Sequence, residues 1–230
     1  MGRLISKPAR HFRMVDDSVQ ETSPMVENPD AMDSENLELV EVSGSSERTT
    51  RIAVGAVLAA LSVAVAPTVG FIARVAGWGI AFFDHVSLFW MVAFLIGGPL
   101  VGSISLVAGG IALFPFDPFS PFGPIFKIIA TLPMMIVPWY GVRRLKTAGG
   151  GETLSRPRFY IVLMLIAFVI RLALMIPINL AYGALVAPYL TVEFILYYAI
   201  VLNGFQSLWD ALIPYLIVYP TGLFKHFRLW

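Results

Sequence analysis

From Ile52 to Leu223 the chain is almost continuously apolar, broken only by prolines, glycines and a few charges. Hydrocarbon offers backbone groups no hydrogen-bond partner, so such stretches fold as membrane-spanning helices that satisfy their own N–H and C=O groups. Inside them, Arg171, Asn179, Asn203, Gln206 and Asp210 fall at helical spacing. A bilayer penalises such groups unless they face a protein interior or a cavity. Their positions mark a buried polar seam in an all-α polytopic membrane protein.

A hydrophobic fraction of 57% with only 13% charged residues and a mean hydropathy of +0.77 leaves too few charges to cover a soluble domain. The net charge of +1 conceals an asymmetry, because Asp16, Asp17, Glu21, Glu27, Asp30, Asp33, Glu35, Glu38, Glu41 and Glu47 all precede residue 50. Residues 1–50 carry too little apolar surface to offset the entropy of ordering them, and are expected to form a disordered acidic cytoplasmic tail. No apolar run follows Arg3, Lys7, Arg10 and Arg13, so this is not a signal peptide. The absence of cysteine excludes disulfides and thiolate chemistry.

The remainder predicts a six-helix membrane domain over 51–224, followed by a short basic cytoplasmic C-terminus, 225–230. The segments are 52–72, 79–97, 100–114, 124–140, 159–185 and 192–223, against about 20 helical residues for a full span. Gly97-Gly98-Pro99 forces a break between the second and third, which form either a close helical hairpin or a partly re-entrant pair. Arg48 and Arg51, the basic loop Arg143 to Arg158, and Lys225 with Arg228 fall on one side of this arrangement. The positive-inside bias then puts both termini in the cytoplasm of a multi-pass plasma-membrane protein. Trp78, Trp90, Trp139, Tyr140, Tyr189 and Trp230 lie near predicted boundaries, as interface anchors would.

On the first segment Ala53, Ala56, Ala60 and Ala64 form a small-residue ridge around Gly55. Small side chains permit close helix approach, either within this chain or to a partner. On the last segment Asn203, Gln206, Ser207 and Asp210 share one face, opposite Arg171, Met175, Asn179 and Tyr182 on the fifth. Arg171 and Asp210 sit at matching depth, which predicts an ion pair whose simplest role is to fix helix register. Asn179, Asn203 and Gln206 lie higher, where they either meet a ligand entering from outside or bond one another across the seam. Lys127 joins them or snorkels to the headgroups.

The order of these features resembles the substrate-binding S-components of energy-coupling factor (ECF) vitamin importers. It runs from a small-residue first helix through Asp84, Gly98-Pro99-Leu100-Val101-Gly102, a Pro/Gly-rich loop into Lys127 and a basic loop to two long final helices. The likeness covers about residues 51 to 223 and is strongest to riboflavin-binding members. Asn179 stands before Pro188, and Asn203 is followed three residues later by Gln206, where those members place a lysine.

The resemblance implies a subunit that binds a vitamin, riboflavin favoured, through Asn179, Asn203, Gln206, Lys127 and Tyr182. Tyr182, Tyr197 and Phe205 would wall the ring system, and Trp78, Phe82, Phe83 and Asp84 would form an outer lid. Ala56 and Ala60 would dock on a transmembrane coupling subunit driven by two cytoplasmic ATPases, with no resident cofactor, metal or nucleic-acid partner. No Gly-x-x-x-x-Gly-Lys-Ser/Thr phosphate loop, His-Glu-x-x-His or Gly-x-Ser-x-Gly string occurs, so the chain reads as a non-enzyme. A small intramembrane enzyme and a non-transporting scaffold are the alternatives.

Overall fold

The computed structural model describes residues 29–67, 83–144, 150–227 and 229–230, with side chains described from residue 46 onward. Residues 1–28, Trp78, Phe82, the end of the expected first segment and the start of the second lie outside them. The chain divides into two units, Met1–Glu41 and Val42–Trp230. Six α-helices are described: α1 (Pro29–Val65), α2 (His85–Ala112), α3 (Phe122–Arg144), α4 (Pro157–Leu185), α5 (Val192–Val218) and a short α6 (Leu223–Phe227), with a 3-10 turn at Gly150–Ser155 before α4.

One expectation about the ends changes. Residues 29–50 are helical, as the first part of α1, and not a structureless tail. A composition too polar for a packed core does not forbid a helix that needs only its own hydrogen bonds. Pro29 suits a first turn, 30–43 holds neither glycine nor proline, and its early acids complement the helix dipole. Further along, Arg51 Nη2 lies 2.6 Å from Glu47 Oε1, one turn away. The C-terminal residues pack on the bundle: Leu229 is buried in the core, and the Trp230 ring packs against Phe94 at 5.0 Å between centroids.

Among the described residues, five helices are long and apolar enough to cross a bilayer: 46–65 of α1, α2, α3, α4 and α5. The expected second and third segments are the two limbs of α2, 85–97 and 99–112, which fold back on each other at Gly98. There φ is +73° and ψ −164°, a conformation open to glycine, and Pro99 restarts the helix. A Cβ built on Gly102 would lie 2.8 Å from Phe94 Cβ, and one on Gly109 2.5 Å from Trp90 Nε1. A straight helix would hold Phe94 and Gly102 about 12 Å apart. The element is therefore a close hairpin, each limb about 20 Å long and shorter than the roughly 30 Å hydrocarbon layer.

Hairpin, α3, α4 and α5 pack in sequence, and α5 closes against α2. The first limb is the centre of the core: Trp90, Met91, Phe94 and Leu95 are fully buried among Met134, Ala167 and Val218. Trp90 is thus a core residue and not an interface anchor. Its Nε1 donates to Ser62 Oγ of α1 at 3.0 Å, and Ser62 Oγ donates to the Ala59 carbonyl at 2.7 Å. The outward face of α4 carries exposed Ile161, Leu165 and Val169, while its inward face holds Arg171 at 2% exposure. Apolar side chains outside and charge inside is the arrangement a lipid-solvated bundle requires.

The turn of the hairpin, Gly150–Gly151 and Trp230 gather at one end of the bundle. The α2 N-terminus, the α2–α3 loop and the start of α3 gather at the other, and there the helices part around a cavity.

Candidate ligand-binding site

The buried stripe of α4 is Tyr160, Leu163, Met164, Ala167, Arg171, Met175, Asn179 and Gly183; that of α5 is Ile195, Ala199, Asn203, Ser207, Asp210, Pro214 and Val218. Both recur every three or four residues, so each helix turns one polar-bearing face to the other. Arg171 Nη1 donates to Asp210 Oδ2 at 2.8 Å, Nε to Asn203 Oδ1 at 2.9 Å and Nη2 to Gln206 Oε1 at 2.8 Å. All three guanidinium nitrogens thus donate to one face of α5. Ser87 of the hairpin lies with its Oγ 2.6 Å from Asp210 Oδ1, so both carboxylate oxygens are engaged and three elements share the charge. The interhelical bonding foreseen for the amides runs from Asn203 and Gln206 to Arg171 and not between the amides themselves, and among the described residues Asn179 bonds only within α4.

These bonds set which way each amide points. Arg171 has donors only, so the oxygens of Asn203 and Gln206 turn towards it. Asn203 Nδ2 then donates to the Ala199 carbonyl, and Asn179 Nδ2 to the Met175 carbonyl, each at 2.7 Å. Gln206 Nε2 and Asn179 Oδ1 have no hydrogen-bond partner among the described residues.

Asn179, Asn203 and Gln206 line one side of a cavity of about 500 Å³. Aromatic rings make up much of the rest, beside aliphatic and a few charged side chains: Phe116 and Phe119 from the α2–α3 loop, Phe122 and Phe126 from α3, Tyr182 from α4, Phe194 and Tyr198 from α5, and Phe83 at the head of α2. Tyr182 meets Phe122 and Phe126 edge to face at 5.2 and 5.5 Å between centroids. Of the ring walls expected, Tyr182 lines the cavity; Tyr197 and Phe205 point outward, at 60% and 41% exposure. At about 100° per residue, Phe205 stands on the far side of α5 from Asn203, and Tyr198 takes the place assigned to Tyr197.

Lys127 also lines the cavity, and it does not snorkel away from it. Its Nζ lies 3.2 Å from Asp84 Oδ2 and 3.7 Å from Asp117 Oδ2. Asp84 Oδ1 caps α2 by accepting from the Val86 N–H at 3.1 Å, and Asp117 Oδ1 accepts from the Phe119 N–H at 2.8 Å. Of the expected lid residues, Phe83 and Asp84 are on the cavity wall. Asp117 and the phenylalanines were not singled out from the sequence, although five phenylalanines within 114–126 were a visible signal.

Ala53, Ala56, Ala60 and Ala64 form an exposed face of α1. Gly55, Ala59 and Ser62 face the opposite way and are buried, with Gly55 against Ile104 of the hairpin.

No family model matches the chain, and neither a curated protein nor a solved structure does.

Proposed function

We propose that this protein is the substrate-capture subunit of an ECF-type vitamin importer, taking a small ring compound, riboflavin favoured, from the outer side. The observation that carries the reading is the cavity of about 500 Å³ at one end of a membrane bundle, aromatic on most sides and amide-bearing on one. Small-molecule sites have this size and this mixture of apolar wall with a few placed polar groups.

The amides narrow the choice further. One acceptor, Asn179 Oδ1, and one donor, Gln206 Nε2, remain to be paired on the cavity wall. A cyclic amide or imide edge, which offers an N–H beside a C=O, supplies the complement of both, and a flavin ring carries such an edge. The aromatic walls would enclose the rest of the ring.

The positive-inside bias would set the Arg143–Arg158 loop and both termini in the cytoplasm of the plasma membrane and open the cavity outward. Phe83 and Asp84 would belong to a lid over it. Ala56 and Ala60 would receive the transmembrane coupling subunit, whose two ATPases drive release. A non-transporting scaffold is favoured by one observation, that Arg171 already occupies Asn203 and Gln206. The cavity beside the seam counts against it, because interhelical packing alone needs no open chamber.

Purification in detergent followed by calorimetric titration and thermal-shift measurement with riboflavin and other vitamins tests this reading. Saturable binding of riboflavin, or a yellow chromophore that copurifies, is expected. Binding of another vitamin alone would change the ligand and keep the capture role, and binding of none would overturn that role.

A further inference from the structure

Among the described residues, the charged side chains on the cavity wall are Asp84, Asp117 and Lys127. The Lys127 ammonium stands between two carboxylates, at 3.2 Å from Asp84 and 3.7 Å from Asp117. Each carboxylate is also held by a backbone N–H of its own, from Val86 and Phe119, so neither depends on the lysine for its position. The carboxylates are 8% and 5% exposed. Arg171 does not line the cavity, and its charge is matched by Asp210. Among the described residues the wall therefore carries a net charge of minus one, two carboxylates against the one ammonium of Lys127.

Asn179 supplies an independent sign that the space is built for a ligand. It is 8% exposed, lines the same cavity and has an unpaired acceptor oxygen. An anion entering there meets that oxygen and a wall on which two carboxylates outnumber the Lys127 ammonium, itself 24% exposed, and the low-dielectric surroundings strengthen the net repulsion. An uncharged ring meets none of this penalty, and a cationic one gains from the carboxylates and the aromatic faces.

We infer that the cavity selects by charge. It accepts uncharged or cationic ring compounds and rejects their phosphorylated or carboxylated counterparts, with Asp117 and Asp84 as the specificity-determining residues. The inference rests on the capture reading above and adds a substrate class to it.

The test titrates the full chain in detergent with riboflavin, thiamine and pyridoxine, each beside its monophosphate. Whichever vitamin binds is expected to do so at least tenfold more tightly than its monophosphate. Asp117→Asn, which keeps the bond from Phe119 N–H and removes the charge, is expected to bring the ratio towards parity. Lys127→Met, which deepens the negative charge, is expected to widen it, and provides a second reading should Asp117→Asn not fold. Equal or tighter binding of a monophosphate overturns the charge selection and leaves the capture role standing. Ratios unmoved in both variants also overturn it. Failure of every compound to bind overturns both.

Discussion

Arg171 Nη1 and Asp210 Oδ2 lie 2.8 Å apart, on α4 and α5, with both side chains almost wholly buried. Neither charge is tolerable alone at that depth, and neither is alone, since Asn203, Gln206 and Ser87 satisfy the rest of the pair. The network joins the last two long helices to the hairpin, and its Asn203 and Gln206 also line the cavity.

Removing one partner leaves an uncompensated buried charge. Arg171→Leu and Asp210→Leu are each expected to cost about 3–5 kcal/mol, and the double replacement less than the two singles together. Unfolding in detergent across the double-mutant cycle checks this, and strictly additive losses would count against coupling.

Asn179 touches its own helix through Met175 O and otherwise faces the cavity. Asn179→Leu is expected to weaken binding of the captured ring by about 1–3 kcal/mol, roughly ten- to a hundredfold, with little change in melting temperature. Asn203→Leu should instead lower stability as well as binding, because it strips an acceptor from Arg171. Calorimetric titration beside thermal unfolding separates the two cases; equal stability losses would contradict them.

Gly98 turns the hairpin at φ +73°, and a Cβ there would stand 2.8 Å from the Trp230 ring. Gly98→Ala is expected to destabilise the bundle by about 1–3 kcal/mol through backbone strain alone, with displacement of the indole added to it. An unchanged melting curve would show that the turn relaxes freely.

Ser62 accepts the only hydrogen bond of the fully buried Trp90 indole. Ser62→Ala is expected to cost about 1–3 kcal/mol, since it leaves that N–H without a partner. The same thermal assay, with Ser62→Thr as the variant that keeps the hydroxyl, distinguishes the lost bond from altered packing.

Ala56 and Ala60 are exposed on α1, turned away from Gly55 and Ser62. Ala56→Trp combined with Ala60→Trp is therefore expected to leave folding and ring binding intact while preventing copurification with a coupling module. Recovery of the whole complex from detergent would remove this face from the docking role.

The helices were legible because their signals are local. The apolar run, the break at Gly97-Gly98-Pro99 and the spacing of Arg171, Asn203, Gln206 and Asp210 are each contained in one segment, and depth along two antiparallel helices sufficed to match Arg171 with Asp210. The helicity of residues 29–50 was missed because a rule about core formation was applied where only local hydrogen bonding was needed. Trp90 was misplaced because proximity to a predicted boundary says nothing of the direction in which a side chain points.

From the amino-acid order alone came the membrane bundle and its polar seam, since hydrocarbon imposes both segment by segment through the helical period and the cost of unpaired polar groups. Only the tertiary structure decided what the seam encloses. Lys127 lies between Asp84 and Asp117, phenylalanines from a loop and α3 face Tyr182, and Ser87 reaches Asp210 across 123 residues of chain. Such contacts depend on which helix faces meet and at what height. That outcome belongs to the packing of the whole bundle, because no segment carries within itself the partner it will touch.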